Sequence, residues 1–296
     1  MPTALITGAS TGIGRATALR LAHAGWTVLA GVRDPAAGTA LAAEAATALP
    51  TAAGAPGADG APAANGGLTA LALDVTDAAQ IAAAVQRVQE VAPGGLDALV
   101  NNAGVAIGGP LETVPLAQLR SQMEVNFFAQ VAITQALLGA LRAARGRIVF
   151  LSSIGGRLTT PYMGPYHASK YAIEAVGDAL RVELAGSAIQ VTLIEPGSVA
   201  TPIWEKGQGQ VDGVAIPDEL REVYGHIPAA MAKTLRSTAK RAIAPERVAQ
   251  TIERALNAKR MRARYLVGID AHAMVWARRL LPDLVFDRVV RRAIGV

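Results

Sequence analysis

The stretch TGASTGIG, at residues 7–14, follows the apolar run TALIT at residues 3–7 and leads into RATALRLAHAG, which ends at Gly25. The apolar run is long enough for one buried strand, and the later segment has the pattern of an amphipathic helix. Gly8, Gly12 and Gly14 allow a tight turn and a close approach of the backbone to a ligand. This order of strand, glycine loop and helix N-terminus predicts a pyrophosphate site. The spacing G-x-x-x-G-x-G differs from the commoner G-x-G-x-x-G, and a glycine-rich turn without a ligand is the alternative.

The next apolar run, TVLAGV at residues 27–32, ends about 20 residues past the glycine loop, where such folds contact the adenosine ribose. Arg33 follows it, where an acidic residue would bind the ribose hydroxyls of NAD. A guanidinium suits the additional 2′-phosphate of NADP, so NADP is the predicted cofactor and NAD the less favoured one. Asp34 precedes Pro35 and is interpreted as a helix N-cap. The alternative for Arg33 is a solvated surface side chain.

The segment YHASK places Tyr166 and Lys170 four residues apart, which makes them neighbours on a helix. A free phenol has a pKa near ~10, and a nearby ammonium favours the phenolate. The pair therefore predicts an acid–base group and its charge partner, and Lys170 could also bond the nicotinamide ribose. An exposed amphipathic helix face is the alternative if the pair is taken alone.

Strand ends elsewhere in the chain strengthen this interpretation. RIVFLSS at residues 147–153 predicts a strand that ends at Ser153, and residues 96–100 predict another that opens into NNAG at 101–104. Ligands of open parallel sheets bind at such carboxyl ends, where the Ser153 hydroxyl could bind a substrate oxygen. Asn126 interrupts a predicted apolar helix over residues 116–141, and a buried amide there needs partners. A helix kink with a bound water is the alternative for Asn126.

These motifs, together with Asp74-Val75 and the segment PGSVAT at residues 196–201, resemble the short-chain dehydrogenase/reductase family over about residues 3–201. The resemblance implies that Tyr166 is the acid–base residue, that Ser153 orients the substrate oxygen, that Lys170 lowers the pKa of the tyrosine and that Asn126 anchors a water. It also implies a cofactor site formed by the following residues: Gly8, Ser10, Thr11, Gly12, Ile13, Gly14, Arg33, Asp74, Val75, Asn102, Ala103, Gly104, Tyr166, Lys170, Pro196, Gly197, Val199 and Thr201. Many NADP-using members carry a basic residue where this chain has Thr11.

The unbroken alternation of strands and helices predicts an α/β fold with a Rossmann-type doubly wound parallel sheet in a single domain over residues 1–296. Residues 50–67 are rich in Ala, Gly and Pro and are interpreted as a low-complexity surface insertion without function. Residues 202–240 are predicted to form a small helical substrate lid, and residues 270–296 a C-terminal helical extension. The candidate substrate-lining residues are Ile203, Trp204, Val223, Tyr224 and Ile227, for each of which ordinary packing is the alternative.

The chain of 296 residues has no cysteine and four scattered histidines, so neither a disulfide nor a metal site is predicted. Pro2 leads directly into the first strand, so we expect no signal peptide and a cytoplasmic protein. Residues 125–141 carry no charge but contain Asn, Gln and Thr, and are interpreted as a buried packing helix. Residues 254–296 carry ten Lys or Arg and three Asp, which gives this segment a net charge of +7. The whole chain has a net charge of +5, so the remainder carries about −2. Intramolecular or subunit packing of this segment is favoured over membrane contact, because Pro282 breaks it.

The function predicted from the sequence is an NADP(H)-dependent interconversion of a secondary alcohol and a ketone, on a sizeable apolar substrate such as a steroid, retinoid or lipid carbonyl. The alternatives are a catalytically silent NADP-binding regulator and a nucleotide-sugar epimerase. An enoyl reductase is disfavoured because the Tyr–Lys spacing is four. The expected assembly is a homo-dimer or tetramer, and nucleic-acid binding is not expected because no aromatic–basic module is present.

Overall fold

Seven parallel strands form one sheet in the order β3-β2-β1-β4-β5-β6-β7. The computed structural model describes residues 1–48, 67–203, 216–230, 232 and 241–294. The strands are β1 Thr3–Ile6, β2 Thr27–Val32, β3 Gly67–Ala72, β4 Ala98–Asn101, β5 Arg147–Leu151, β6 Gln190–Pro196 and β7 Arg264–Val267. The predicted doubly wound parallel sheet is confirmed.

Helices cover both faces of this sheet. They are α1 Gly12–His23, α2 Pro35–Ala48, α3 Ala78–Val91, α4 Leu116–Met123, α5 Ala129–Ala144, α6 Gly164–Glu183, α7 Pro245–Asn257, α8 Ile269–Leu280 and α9 Asp283–Ile294. A π-helical turn at Glu124–Phe128 joins α4 to α5, and short 3-10 or α-helical turns lie at Ile154–Gly156, Ala185–Ser187, Asp218–Leu220 and Arg221–Tyr224.

Two hydrophobic layers hold the helices on the sheet. One contains apolar side chains of α1, α2 and α7, and the other those of α3, α5 and α6. Strand β1 contributes to both, because successive strand residues point to opposite faces: Ala4 and Ile6 lie in the first layer and Leu5 in the second. This two-sided burial explains why the strands are uninterrupted apolar runs rather than alternating ones.

The strand order reverses beside β1, and this reversal positions the functional cleft. Strand β1 lies between β2 and β4, so the loops that follow β1 and β4 leave in opposite directions. Thr7 N donates to Val100 O at 3.0 Å, and its hydroxyl accepts from Asn102 N at 3.0 Å and Ala103 N at 2.9 Å. The glycine loop and the NNAG segment are therefore fixed to each other at the carboxyl edge of the sheet.

The long helical run at Leu116–Ala144 is apolar and long enough to cross a membrane by composition alone. Ile133, Leu137 and Leu141 on this run are fully buried in the layer that packs on the sheet. A core helix meets the same length and hydropathy criterion, and one third of the most apolar stretch is buried inside the protein, so its interpretation as a packing helix stays a prediction.

Three segments singled out by sequence have different outcomes. Of the predicted insertion at residues 50–67, only Gly67 lies within the described residues, and it is the first residue of β3 rather than part of a loop. Much of the predicted lid, residues 202–240, also lies outside the described part, so the lid stays a prediction. The C-terminal extension, predicted over residues 270–296, consists of α8, which begins at Ile269, and α9. Leu281–Pro282 separates the two helices.

Candidate active site

The glycine loop after β1 is held in shape by neighbouring backbone and by one side chain. Gly8 has φ +64°, and a Cβ there would lie 2.8 Å from Ala103 Cα, so the position requires glycine. The Asn102 side-chain amide donates to Thr7 O at 2.8 Å and to Gly8 O at 3.0 Å. Because Asn102 binds the carbonyl groups, the loop can turn its N–H groups toward a ligand. Thr11 is the N-cap of α1 and makes no side-chain capping bond, which leaves the helix N-terminus available to an anion.

A cavity of about 420 Å³ opens at this edge of the sheet. It brings together most of the residues predicted from sequence: Gly8, Ser10, Thr11, Gly12, Ile13, Arg33, Asp74, Val75, Asn102, Ala103, Gly104, Ser153, Tyr166, Lys170, Pro196, Gly197, Val199, Thr201 and Ile203. Gly14 and Asn126 are buried and are not among its described lining residues. The glycine loop, strand ends and one face of α6 therefore border a single cleft.

At one end of the cleft, Arg33 and Asp34 have separate roles. Asp34 Oδ1 accepts a hydrogen bond from Ala36 N at 2.9 Å, as predicted for the cap of α2. Arg33 lines the cavity close to Asp74. The pKa of Asp74 lies below its usual value, first because its carboxylate accepts from the backbone N of Thr76, and also because of the Arg33 charge. The cleft thus offers a guanidinium beside an ionised carboxylate.

The phenol of Tyr166 lies inside the cleft at the start of α6 and is 7% exposed. Burial raises its pKa above the ordinary value, and a side-chain hydrogen bond with Ser153 acts in the opposite direction. Ser153 follows β5, and its Oγ accepts a hydrogen bond from Gly155 N at 3.0 Å, which fixes the hydroxyl. The phenol and the serine hydroxyl therefore form one hydrogen-bonded pair.

Lys170 lies one turn after Tyr166, with its Nζ 5.7 Å from the phenol ring centroid. The ammonium donates to Leu151 O at the end of β5 at 2.7 Å. Burial lowers the pKa of Lys170 to about 8, while the charge of Glu174 raises it. Family resemblance implied that Lys170 lowers the pKa of Tyr166. Burial of the phenol is the largest influence on the pKa of Tyr166 and raises it, so this role of Lys170 stays a prediction.

Asn126 lies in the π-helical turn and is completely buried. Its Oδ1 accepts from Val105 N at 2.8 Å, and its Nδ2 donates to Val105 O at 2.9 Å and to Ser169 Oγ at 3.0 Å. These bonds join the helix to the loop after β4 and to α6. The amide thus has protein partners here, and a role in holding water stays a prediction.

Two polar side chains near the cleft were not singled out as site residues. Gln122 is fully buried one turn before Asn126, and it bonds Ile107 N and Val105 O, both at 2.7 Å. The four-residue spacing of two amides in an apolar helix is a signal that could have identified it. His167 follows Tyr166 directly in the YHASK segment. Its Nδ1 accepts from Thr160 N at 3.1 Å, and burial lowers its pKa to about 4.

The candidate substrate-lining residues do not all reach the cleft. Ile203 lines it, and Trp204 lies outside the described residues. The other three are not among the described lining residues: Val223 is exposed, Ile227 is buried, and the Tyr224 hydroxyl donates to Glu112 Oε2 at 2.6 Å. Their contact with a substrate stays a prediction. Sequence spacing could not show which way these side chains turn, because the segment has no regular period.

The sequence and the fold of this chain are both similar to those of known proteins. A family model described as "short chain dehydrogenase" matches residues 2–211. An "NADPH-dependent 3-dehydrocapnine reductase" from Ornithobacterium rhinotracheale is 39% identical over 225 residues, covering 74% of this chain and 78% of that protein. "Retinol dehydrogenase 5" from Mus musculus is 32% identical over 297 residues, covering 96% and 86%. The crystal structure of a short-chain dehydrogenase from Streptomyces avermitilis superposes with a TM-score of 0.74 and 27% identity, covering 99% of this chain and 97% of that one.

Proposed function

Because this chain belongs to the short-chain dehydrogenase family and is an oxidoreductase, we propose that it interconverts a secondary alcohol and a ketone with NADP(H). The observation that carries the proposal is the pairing of Tyr166 with Ser153 inside a cleft bordered by the glycine loop. A buried phenol beside a fixed hydroxyl is suited to exchange a proton with a substrate oxygen.

The cofactor site fits a dinucleotide phosphate. Gly8 and Ala103 approach too closely for a side chain at residue 8, and the uncapped N-terminus of α1 offers N–H groups to a pyrophosphate. Arg33 would bind the 2′-phosphate, since Asp34 is engaged as a helix cap. Thr201, packed against the position of Gly12, and Val199 would border the nicotinamide. The similarity to an NADPH-dependent reductase supports NADP(H) over NAD.

The nicotinamide supplies or accepts the hydride when it is bound. In the reductive direction Ser153 holds the carbonyl oxygen, and Tyr166 donates its proton to that oxygen as it becomes a hydroxyl. The burial that raises the pKa of Tyr166 keeps the phenol protonated for this step. Lys170 stands close enough to stabilise the phenolate that remains, because its Nζ lies 5.7 Å from the ring centroid. In the oxidative direction the same groups act in reverse.

The substrate is proposed to be a sizeable apolar carbonyl or alcohol, such as a steroid, retinoid or lipid. Ile203 and Val105 supply apolar wall to the cleft. Similarity to a retinol dehydrogenase of mouse, over nearly the whole of this chain, supports an apolar alcohol as the substrate class. We also propose a homo-dimer or tetramer, which the exposed apolar side chains Phe128 and Val182 support. The proposed location is the cytoplasm.

The proposal is tested by Tyr166→Phe, which removes one hydroxyl and keeps the ring. We expect kcat for ketone reduction, followed as NADPH consumption at 340 nm, to fall by roughly 100-fold or more. NADPH binding, measured by calorimetry, should persist. Tyr171→Phe on the exposed side of the same helix is the matched control and should leave kcat unchanged.

A kcat within about tenfold of the original in Tyr166→Phe would contradict the proton-transfer role. The same assays separate the other candidates. A silent regulator would bind NADPH and turn over none of the steroids, retinoids and aromatic ketones in a panel. An epimerase would convert a nucleotide sugar without net consumption of NADPH.

A further inference from the structure

A second cavity, of about 1050 Å³, lies away from the cleft, beside the edge strand β7. Its wall is formed by α7, the segment that leads into β7, β7 itself and one face of α8. It shares none of its described lining residues with the cofactor cleft. We call this cavity the arginine groove, because seven arginines and one carboxylate, Glu195, are among its described lining residues.

Three of these arginines already have acidic partners. Arg157 and Arg264 bond Glu195 Oε1 at 3.0 and 3.1 Å, and Arg278 bonds Asp283 at 2.7 Å. Glu195 is almost completely buried, so its charge is used within the protein. Arg157, Arg264 and Arg278 are therefore already compensated by charges within the protein.

The other four arginines have no carboxylate within ion-pair distance among the described residues: they are Arg254, Arg260, Arg262 and Arg279. Arg254 bonds the Thr251 hydroxyl at 3.2 Å, and Arg279 lies 5.5 Å from the Trp276 ring centroid. Several uncompensated positive charges around one concavity repel each other and attract anions. An anionic ligand would relieve that repulsion.

The apolar part of the wall restricts the ligand further. Leu266, Val275 and Tyr265 line the groove, and Trp276, which is 53% exposed, stands at its edge. Guanidinium groups bind phosphate through two parallel hydrogen bonds, and an exposed indole offers a flat apolar surface. A phosphate ester with an attached apolar or aromatic portion meets both halves of this wall.

We propose that the arginine groove is a second ligand site, which binds a phosphate ester carrying an apolar or aromatic portion. Arg260 and Arg262 hold the phosphate, and Trp276 contacts the remainder of the ligand. The phosphate could belong to a free nucleotide or to a phospholipid headgroup. The site is independent of the proposed oxidoreductase reaction, because none of these residues lines the cofactor cleft.

The test compares the double variant Arg260→Ala/Arg262→Ala with Arg288→Ala/Arg291→Ala. The control pair removes the same charge from exposed positions on α9 that are not among the described lining residues. Binding of pyrophosphate and of ATP is measured by calorimetry with excess NADPH present, so that the glycine loop is occupied. Vesicles of phosphatidylcholine with and without phosphatidylglycerol form the second arm. The variant Arg260→Lys/Arg262→Lys keeps the charge but loses the two-bond geometry, and it replaces the alanine pair if that pair fails to fold.

We expect the groove variant to bind the probe at least roughly tenfold more weakly than the original protein, and the control pair to bind it normally. Loss of ATP or pyrophosphate binding identifies a free phosphate ester. Loss confined to vesicles with phosphatidylglycerol identifies a headgroup. Equal weakening in both pairs, or no binding of any probe, overturns the proposal. A change of oligomeric state in the groove variant alone, seen by sedimentation, also overturns it, because the groove would then be covered by a second copy.

Discussion

Arg33 and Asp34 are adjacent in the chain but have different neighbours. The Asp34 carboxylate is turned back to the start of α2, where it caps Ala36 N. Arg33 faces the cleft and contributes to the low pKa of Asp74. This division leaves a cation, rather than an anion, at the end of β2.

Replacing Arg33 by Asp should therefore shift cofactor preference from NADPH toward NADH. The new carboxylate repels a 2′-phosphate and can accept from ribose hydroxyls. The measurement is the ratio of kcat/KM for the two cofactors before and after the change, and we expect that ratio to fall by at least roughly tenfold. Arg15→Asp, at a half-exposed arginine of α1, is the control. An unchanged ratio would show that Arg33 does not contact the phosphate.

Helix α6 presents Tyr166, Lys170 and Glu174 at intervals of four residues, so all three lie along one face. Glu174 Oε2 accepts from Arg264 Nε at 2.9 Å. Burial, followed by the nearby charge of Glu195, raises the pKa of Glu174 to about 7. The same helix therefore joins Tyr166, the proposed acid–base residue, to a buried carboxyl group whose pKa is raised to about 7.

Glu174→Gln should change the pH dependence of stability. The folded protein holds a proton on Glu174 between its ordinary pKa of 4.5 and about 7, where the unfolded chain has lost it. The free energy of unfolding consequently falls as pH rises through this window, by on the order of 2–3 kcal/mol from this group. Urea unfolding at about pH 5 and about pH 8 should show a smaller fall for Glu174→Gln than for the original protein.

Glu183→Gln, at the exposed end of α6, is the control for this experiment and should behave as the original protein does. If Glu174→Gln and the original protein lost the same stability between the two pH values, the buried carboxyl would not be the titrating group.

Some helices and strands could be predicted from the sequence, and others could not. Strand β2 was predicted with its observed bounds, because a buried parallel strand is an apolar run whose ends are local. The position of Tyr166 and Lys170 on the same face of α6 follows from the periodicity of a helix. The π-helical turn was not predictable, because Asn126 is satisfied by Val105, 21 residues earlier in the chain, and by Ser169, 43 residues later. Only the assembled fold brings those partners together.

At the scale of the whole molecule, the C-terminal helices pack beside the candidate active site. Phe286 and Val290 of α9 are buried against Leu158, which closely follows the turn that begins after Ser153. Arg278 lies 5.5 Å from the Phe286 ring centroid. Sequence favoured a packing role for this segment but could not identify Leu158 as its contact, because the two regions are far apart in the chain.

Phe286→Ala should destabilise the protein by roughly 2–4 kcal/mol, since it leaves a cavity beneath α9. Leu284→Ala changes a neighbouring side chain that is 73% exposed, and it should cost under about 0.5 kcal/mol. Urea unfolding gives both values. Equal effects of the two changes would mean that α9 does not pack stably against Leu158.

The position of β1 in the sheet has a consequence for biosynthesis. Ala4 pairs with Val28 on one side and with Ala98 on the other, and Thr3 N bonds the Asp97 carboxylate, 94 residues later. Synthesis of these 94 residues takes roughly 5 to 20 seconds, and during that time the edge of β1 that pairs with β4 has no partner strand. Unpaired edges of this kind invite association between nascent chains. We therefore expect the yield of native protein to depend on how this strand edge is protected during elongation, as well as on the stability of the finished fold.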